Sequence, residues 1–166
     1  MFSLIRPDGY TPTLVQNVEI SGFTFIGARD TDNNKISTFI HLDDVENACI
    51  EKNEIASFKL AAKFNDGASN EAYQNTFYKN KFASCITCYE FGGAANRNNF
   101  TNNSYLNAEL VYDFSAPNNV SETNVFTNEN VEGCKNWAEW ITTGFHPYKQ
   151  LWIGLTIENP VSNGFT

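Results

Sequence analysis

Apolar residues recur along the chain in pairs that enclose four residues, and in three of the six pairs the third enclosed residue is Asn. The first members of the pairs are separated by 30, 27, 23, 26 and 26 residues. A period in this range is typical of a solenoid, in which each repeat buries its apolar face against its neighbours. The six pairs are Ile20/Phe25, Ile50/Ile55, Phe77/Phe82, Phe100/Tyr105, Phe126/Val131 and Trp152/Ile157.

A second pattern, a strand-like run that ends in an aromatic residue, recurs in step with the first. Its intervals are 27, 23 and 26 residues, which are those of the first pattern over the same part of the chain. Because the two patterns share the same unequal intervals, they indicate one repeating unit that contains both. The runs are Ala62-Lys63-Phe64, Tyr89-Glu90-Phe91, Tyr112-Asp113-Phe114 and Ala138-Glu139-Trp140.

Each repeat is predicted to contain three short strands. One ends at the first apolar anchor, the second follows a bend at the Asn position, and the third ends in the aromatic residue before a turn rich in Gly, Asn, Pro or Ser. The matching third strand of the first repeat is predicted at 35–41, after a polar insertion at 27–35. Residues 131–142 would also fit an amphipathic helix. Their register with the other repeats favours a strand.

The pattern places a β-solenoid domain of about six coils at residues 17–159, between a lead-in segment at 1–16 and a tail at 160–166. Neither end of this domain shows an amphipathic capping helix. Because solenoids need capped ends, we expect either a fragment of a longer chain or ends that neighbouring domains or subunits cover.

Three short strands per coil and Asn at a bend resemble the right-handed parallel β-helix of the pectin-lyase-like superfamily. The resemblance extends over residues 17–157 and is carried by Asn53, Asn80 and Asn103. It implies an all-β fold in which stacked Asn amides hydrogen-bond from coil to coil. Glu129 continues this column, whereas Phe23 and Leu155 depart from it.

The composition excludes some classes of partner. A net charge of −8 and a pI near 4.7 argue against binding to nucleic acid, which requires clustered Lys and Arg, and against anionic membrane surfaces. The sequence shows no signal peptide and no stretch of 18 apolar residues.

The candidate metal motifs in the sequence are weak. Cys85 and Cys88 lack the second ligand pair of a zinc site, so we expect the cysteines to be small buried residues. The segment Asp30-x-Asp32-x-Asn34 has the alternating oxygen ligands of a calcium loop. It lacks the Gly and the bidentate Glu that such a loop requires, and a plain polar loop is the simpler interpretation. We therefore expect no cofactor, with Ca²⁺ as the one weak alternative.

The residue before the aromatic residue of the second pattern gives a charged column: Lys63, Glu90, Asp113 and Glu139. If the aromatic residues point into the core, this column points to solvent. Neighbouring coils are about 4.8 Å apart, so adjacent carboxylates would stand near the separation in a retaining glycosidase, and Glu90 and Glu139 nearer that of an inverting one. Repulsion between them would raise the pKa of at least one carboxyl group. The alternative interpretations are a solvated acidic stripe and a Ca²⁺ site.

Trp137 lies two residues before Glu139 and therefore on the same predicted face. An exposed Trp there would be a platform for a sugar ring. We predict Glu90, Asp113 and Glu139 as candidate catalytic residues, and Trp137 and Lys63 as candidate ligand contacts.

The resemblance implies a module of a surface fibre or phage tailspike-like protein that meets polysaccharide, outside the cell or on a virion. Trimerisation, which is common in tailspikes, would help to cover the ends. The alternative is a polysaccharide lyase or glycoside hydrolase that uses the carboxylate column. A purely structural fibre is a third interpretation. Fold alone does not decide among them.

Overall fold

The chain forms an all-β parallel solenoid, a β-helix, of about 5 turns with three strands per turn. This architecture comes from a computed structural model that describes residues 2–5, 15–64, 71–116, 121–140, 150–158 and 164–165. Within those ranges every regular element is a strand, and no helix long and apolar enough to cross a membrane is found there. The predicted fold class is confirmed.

The strands stack into four parallel sheets, each running along the solenoid. Sheet A has seven strands: Phe2–Ile5, Thr38–Asp43, Leu60–Phe64, Thr87–Phe91, Leu110–Phe114, Asn136–Trp140 and Gly164–Phe165. Sheet B is a short addition of four: Val15–Gln16, Val45–Glu46, Glu71–Tyr73 and Ala94–Asn96. Sheet C has six: Glu19–Ser21, Cys49–Glu51, Thr76–Tyr78, Asn99–Thr101, Val125–Thr127 and Leu151–Ile153. Sheet D has six: Thr24–Ile26, Glu54–Ala56, Lys81–Ala83, Ser104–Leu106, Asn130–Glu132 and Thr156–Glu158.

The register of the sheets is the one that the two sequence patterns predict. The first members of the six apolar pairs align in sheet C and the second members align in sheet D. The runs of the second pattern align in sheet A. The segment for which a helix was the alternative forms two strands, Asn130–Glu132 and Asn136–Trp140. The third strand of the first coil lies a few residues later than predicted, at Thr38–Asp43.

Each bend between sheets C and D turns on one residue with a left-handed backbone. Examples are Lys52 (φ 54°), Lys79 (φ 53°) and Asn102 (φ 56°). This conformation costs an L-residue roughly 1–2 kcal/mol, so other interactions must hold the bend. The residue that follows each of these three is a buried Asn of the predicted column.

The first Asn ladder consists of Asn53, Asn80 and Asn103 and ends at Glu129. The Nδ2 of Asn53 donates to Oδ1 of Asn80 over 3.2 Å, and that of Asn80 to Oδ1 of Asn103 over 3.1 Å. The same oxygens accept the backbone N–H of the preceding coil, at 3.1 Å for Asn53 N to Asn80 Oδ1. Each amide also donates to a buried carbonyl, as Asn80 does to Ile50 O over 2.7 Å. The predicted ladder is confirmed.

A second ladder, which the sequence analysis missed, occupies the bend between sheets B and C. It consists of Asn75, Asn98 and Asn124, with Nδ2 to Oδ1 distances of 3.0 Å at both steps. The backbone N–H of Ala48 donates to Asn75 Oδ1 over 2.9 Å, and this bond extends the second ladder to the second coil. The sequence carries a signal for it, because each of these residues lies two positions before a Phe anchor.

Cysteine thiols have a similar role at the bend between sheets D and A. Sγ of Cys134 accepts the backbone N–H of Ala108 over 3.4 Å and donates to Tyr105 O over 3.6 Å. Sγ of Cys85 donates to Ile55 O over 3.7 Å. All four cysteines are free, and three are buried as predicted. The thiols of Cys85 and Cys134 are thus polar partners of the bends as well as small core residues.

Aromatic rings fill the interior in stacks that run along the solenoid. The rings of Phe100 and Phe126 stack with centroids 4.7 Å apart, and Phe126 stacks on Trp152 at 3.8 Å. Phe91 and Phe114 form a second stack at 4.4 Å. Stacking repeats because parallel strands in register place the same residue type above itself in every coil.

Glu129 ends the first ladder inside this aromatic core, where 1% of it is exposed. Its Oε1 accepts Asn103 N over 3.0 Å and Asn103 Nδ2 over 3.2 Å. Its Oε2 accepts the hydroxyl of Tyr112 over 2.8 Å and that of Tyr105. A carboxylate can be held here because four donors surround it. Burial nevertheless raises the pKa of Glu129 above its ordinary value of 4.5.

The first prediction concerns the ladder. Replacing Asn80→Ala leaves the Asn53 N–H and the Ile50 carbonyl without their side-chain partner in a buried bend. We expect the free energy of unfolding, measured by urea denaturation, to fall by about 2–4 kcal/mol. The control is Asn99→Ala, an exposed Asn one coil away, which should change it by less than about 0.5 kcal/mol. Equal decreases in the free energy of unfolding for the two substitutions would show that the buried Asn ladder contributes no more to stability than an exposed Asn.

The second prediction concerns pH. Because the folded state raises the pKa of Glu129, its protonated form is favoured in the fold. Its contribution to stability is complete below the unfolded pKa of about 4.5 and falls as pH rises through the folded pKa. The difference in unfolding free energy between the wild type and Glu129→Gln should therefore shrink, or change sign, as pH is raised from 4. Glu132→Gln, at an exposed position of the strand that follows Glu129, controls for loss of a charge. A difference that grows over this range would contradict the prediction.

Candidate functional site

Sheet A brings the predicted charged column together on its outer face. In the register of the sheet Lys63 pairs with Glu90, Glu90 with Asp113, and Asp113 with Glu139. All four residues are half-buried, whereas the aromatic residues that follow Lys63, Glu90 and Asp113 are buried in the core. The side chains therefore stand next to one another with partial access to solvent.

Two of the three carboxylates have local partners. Oε1 of Glu90 lies 3.4 Å from Nζ of Lys63, and both side chains are about one-third exposed or less, at 33% and 28%. Oδ1 of Asp113 accepts the backbone N–H of Ser115 over 2.8 Å and its hydroxyl over 2.5 Å. Part of the acidic charge of the column is thus compensated within sheet A and the turn that follows it.

The prediction that Trp137 lies exposed beside Glu139 is wrong. Trp137 is 8% exposed and its ring packs edge-on against Trp152 in the core, with centroids 5.1 Å apart. The strict alternation assumed for the strand fails because Ala138, the next residue, is also buried. In each of the five sheet A strands whose burial the structure describes, two neighbouring residues at the same place are both buried, as Cys88 and Tyr89 are. The sequence shows these adjacent apolar pairs, and they would have revealed the break.

A groove lies on the outer face of sheet A, beside these buried pairs in the first three coils. The outward side chains on either side of each pair line one depression of about 440 Å³ across the first three coils. These outward pairs are Thr38 with His41, Leu60 with Lys63, and Thr87 with Glu90; Ile36, Lys59 and Ile86 complete the lining.

The groove contains two of the five predicted site residues, Lys63 and Glu90. Asp113 and Glu139 continue the column beyond it. His41 is a groove residue to which the sequence analysis gave no role. It pairs in register with Lys63 and so begins the column. The insertion before it hid this register, because it displaced the first-coil strand from the predicted position.

The Asp30 loop holds itself together through its own carboxylate. Oδ1 of Asp30 accepts the backbone N–H groups of Asp32 over 3.0 Å and Asn34 over 2.8 Å, and Oδ2 accepts Asn34 Nδ2 over 3.0 Å. The Asn34 side chain and these backbone bonds lower the pKa of Asp30. In the described part of the chain, no three metal-ligating side chains of His, Cys, Asp or Glu lie close enough to hold an ion.

The groove has both polar and apolar side chains, which suits a neutral or charged polar ligand that carries some apolar surface. It has hydroxyl groups, an ion pair that offers both a donor and an acceptor, and three aliphatic side chains. Its volume is within the usual range for sites that bind small ligands. Because it spans three coils, its outward positions repeat with the spacing of the strands, about 4.8 Å, and residues of different types occupy them.

Comparisons with protein-family models, with curated proteins and with solved structures found no match to this chain.

Proposed function

We propose that the chain is a polysaccharide-binding β-helix module of the pectin-lyase-like type, from a surface fibre or a phage tailspike-like protein, and that the glycan binds in the groove of sheet A. The observation that carries this proposal is the groove itself. It crosses three coils and presents the hydroxyl groups of Thr38 and Thr87 and the charged groups of Lys63 and Glu90. A polar groove that extends over several coils suits an extended polar polymer, because sugar hydroxyls require donors and acceptors along the chain.

The Lys63–Glu90 pair is the most informative polar contact of the groove. Its two groups can donate to and accept from neighbouring sugar hydroxyls without reorganising, since each is already oriented by the other. Both groups are partly exposed, so a ligand can reach them.

Apolar side chains at the ends of the described solenoid support the part of the proposal that concerns assembly. In the first coil Phe23 is 58% and Ile26 is 75% exposed, and in the last coil Leu151 is 51% and Ile153 is 49% exposed. A homotrimer or neighbouring domains that cover these ends, on a virion or outside the cell, would remove this surface from water. Light scattering of the purified chain would measure the oligomeric state.

The third prediction tests glycan binding in the groove. Wild-type protein is titrated against polygalacturonate, dextran, O-acetylated xylan, O-acetylated glucomannan and bacterial lipopolysaccharide by affinity electrophoresis. We expect retention of the protein by at least one polymer. The dissociation constant should be fivefold to tenfold higher for Lys63→Met and for Glu90→Gln, which is about the effect of one lost hydrogen bond.

The molecule offers a matched control for these variants. Lys81 and Glu54 form an ion pair between neighbouring coils of sheet D, at 3.1 Å and away from the groove. Lys81→Met and Glu54→Gln should leave binding unchanged. Equal losses from the two pairs would place the binding site elsewhere, and retention by none of the five polymers would contradict the proposed function.

A second candidate function is hydrolysis or elimination of a polysaccharide by the carboxylate column. The register favours it, because Glu90, Asp113 and Glu139 occupy three successive coils. Adjacent strands stand about 4.8 Å apart, close to the 5–5.5 Å carboxyl separation of retaining glycosidases. The hydrogen bonds from Ser115 to Asp113 would then hold the central carboxylate in position.

The fourth prediction separates the two functions. If the column is catalytic, Asp113→Asn should lower depolymerisation of the retained polymer at least a hundredfold, the usual contribution of a general acid or base. Release of reducing ends and of unsaturated uronate measures both reaction types. Equal activity in the variant and the wild type would exclude Asp113 from catalysis, and retention of polymer by a wild type that releases no product supports binding alone.

A further inference from the structure

The groove has an aliphatic component that a bare sugar chain does not explain. Ile36, Leu60 and Ile86 come from three successive coils and line it together. Ile36 is 55% exposed, and Leu60 and Ile86 are half-buried. Single exposed apolar residues are common on proteins, but three partly accessible ones that line one groove indicate a ligand with an apolar part.

The hairpin that carries Ile36 is held in place by several contacts. Arg29 and Lys35 form an antiparallel bridge, and the N–H of Ile36 donates to Ala28 O over 3.2 Å. The hydroxyl of Ser37 accepts the N–H of Ala28 over 2.8 Å. The hairpin is therefore a fixed wall of the groove, and Ile36 has a defined position on it.

The rest of the lining decides what kind of apolar group fits. None of the residues that the structure shows lining the groove is Phe, Tyr or Trp, so the large flat stacking platform used for sugar rings is not part of it. Placing sugar hydroxyls against Ile or Leu would cost free energy, because they would lose hydrogen bonds to water. A small acyl group avoids this cost: its methyl can contact the aliphatic side chains while its carbonyl oxygen accepts from Thr38, Thr87 or Lys59.

We propose that Ile36, Leu60 and Ile86 form a subsite for an acyl substituent of the glycan, an O-acetyl or N-acetyl group. This rests on the proposed function, since it names the class of glycan that the same groove binds. Acetylation would then be a determinant of specificity, and the hairpin at 27–37 would be the element that supplies it.

The fifth prediction compares O-acetylated xylan and O-acetylated glucomannan with the same polymers after mild alkaline deacetylation, which leaves the backbone intact and neutral. Wild-type protein should bind the deacetylated forms at least fourfold more weakly, because one buried methyl contributes about as much as a CH₂ group. Ile36→Asn should reduce this preference to less than twofold.

Leu106→Asn is the matched control, because Leu106 is a half-buried aliphatic residue of sheet D that lies outside the groove. It should keep the wild-type preference, and thermal melting checks that both variants fold. The acyl subsite is overturned if wild-type protein binds both forms of each polymer equally, or if it is retained only by polymers without acetyl groups. Retention by no polymer would instead refute glycan binding itself, so the two failures can be distinguished.

Discussion

The hydrogen bonds from buried Asn side chains to the bends are the interaction on which this solenoid depends. A coil built from strands of two to six residues must turn sharply several times, and the bends between sheets C and D place left-handed residues and backbone groups next to the core. Buried backbone groups without partners are costly. Asn can accept from one coil and donate to another, which satisfies the bend and fixes the next coil above it. Cys85 and Cys134 have a related role where a thiol replaces the amide.

This interior fixes the position of everything outside it. When coils are held in register by ladders and ring stacks, outward side chains repeat with the spacing of the strands, and a functional surface can be built one coil at a time. The groove lies where sheet A departs from strict alternation, beside paired buried residues such as Cys88 and Tyr89. The core and the surface are therefore linked, because the same strands supply the buried pairs and the outward side chains of the groove.

Much of the fold could be predicted from sequence, because the register of the strands in a solenoid follows from the intervals between the repeated residues. The anchors Phe77 and Phe100, the Asn80 bend and the Glu90 column all lie where their intervals placed them. The surface was harder to predict. Alternation placed Trp137 outside, whereas the doubled inward pair buries it. The groove also depends on the hairpin at 27–37, which is longer than the other described connections between sheets D and A. Periodicity predicts the residues that repeat from coil to coil. The candidate site also includes Ile36, which lies on a hairpin that is not part of the repeat.

The first ladder has a direction, and this has a consequence for how the solenoid opens. The Nδ2 of each Asn in this ladder donates a hydrogen bond to the side chain at the same position of the next coil. The ladder ends at Glu129, because its carboxylate accepts hydrogen bonds and has no N–H to donate. The N–H of Phe23 still donates to Asn53 over 3.0 Å, so the first coil is tied into the ladder, whereas the last coil has Leu155 at this position. Local unfolding in solenoids propagates between neighbouring coils. Fraying should therefore be asymmetric, with amide hydrogens of Leu151–Ile153 and Thr156–Glu158 exchanging before those of Glu19–Ser21.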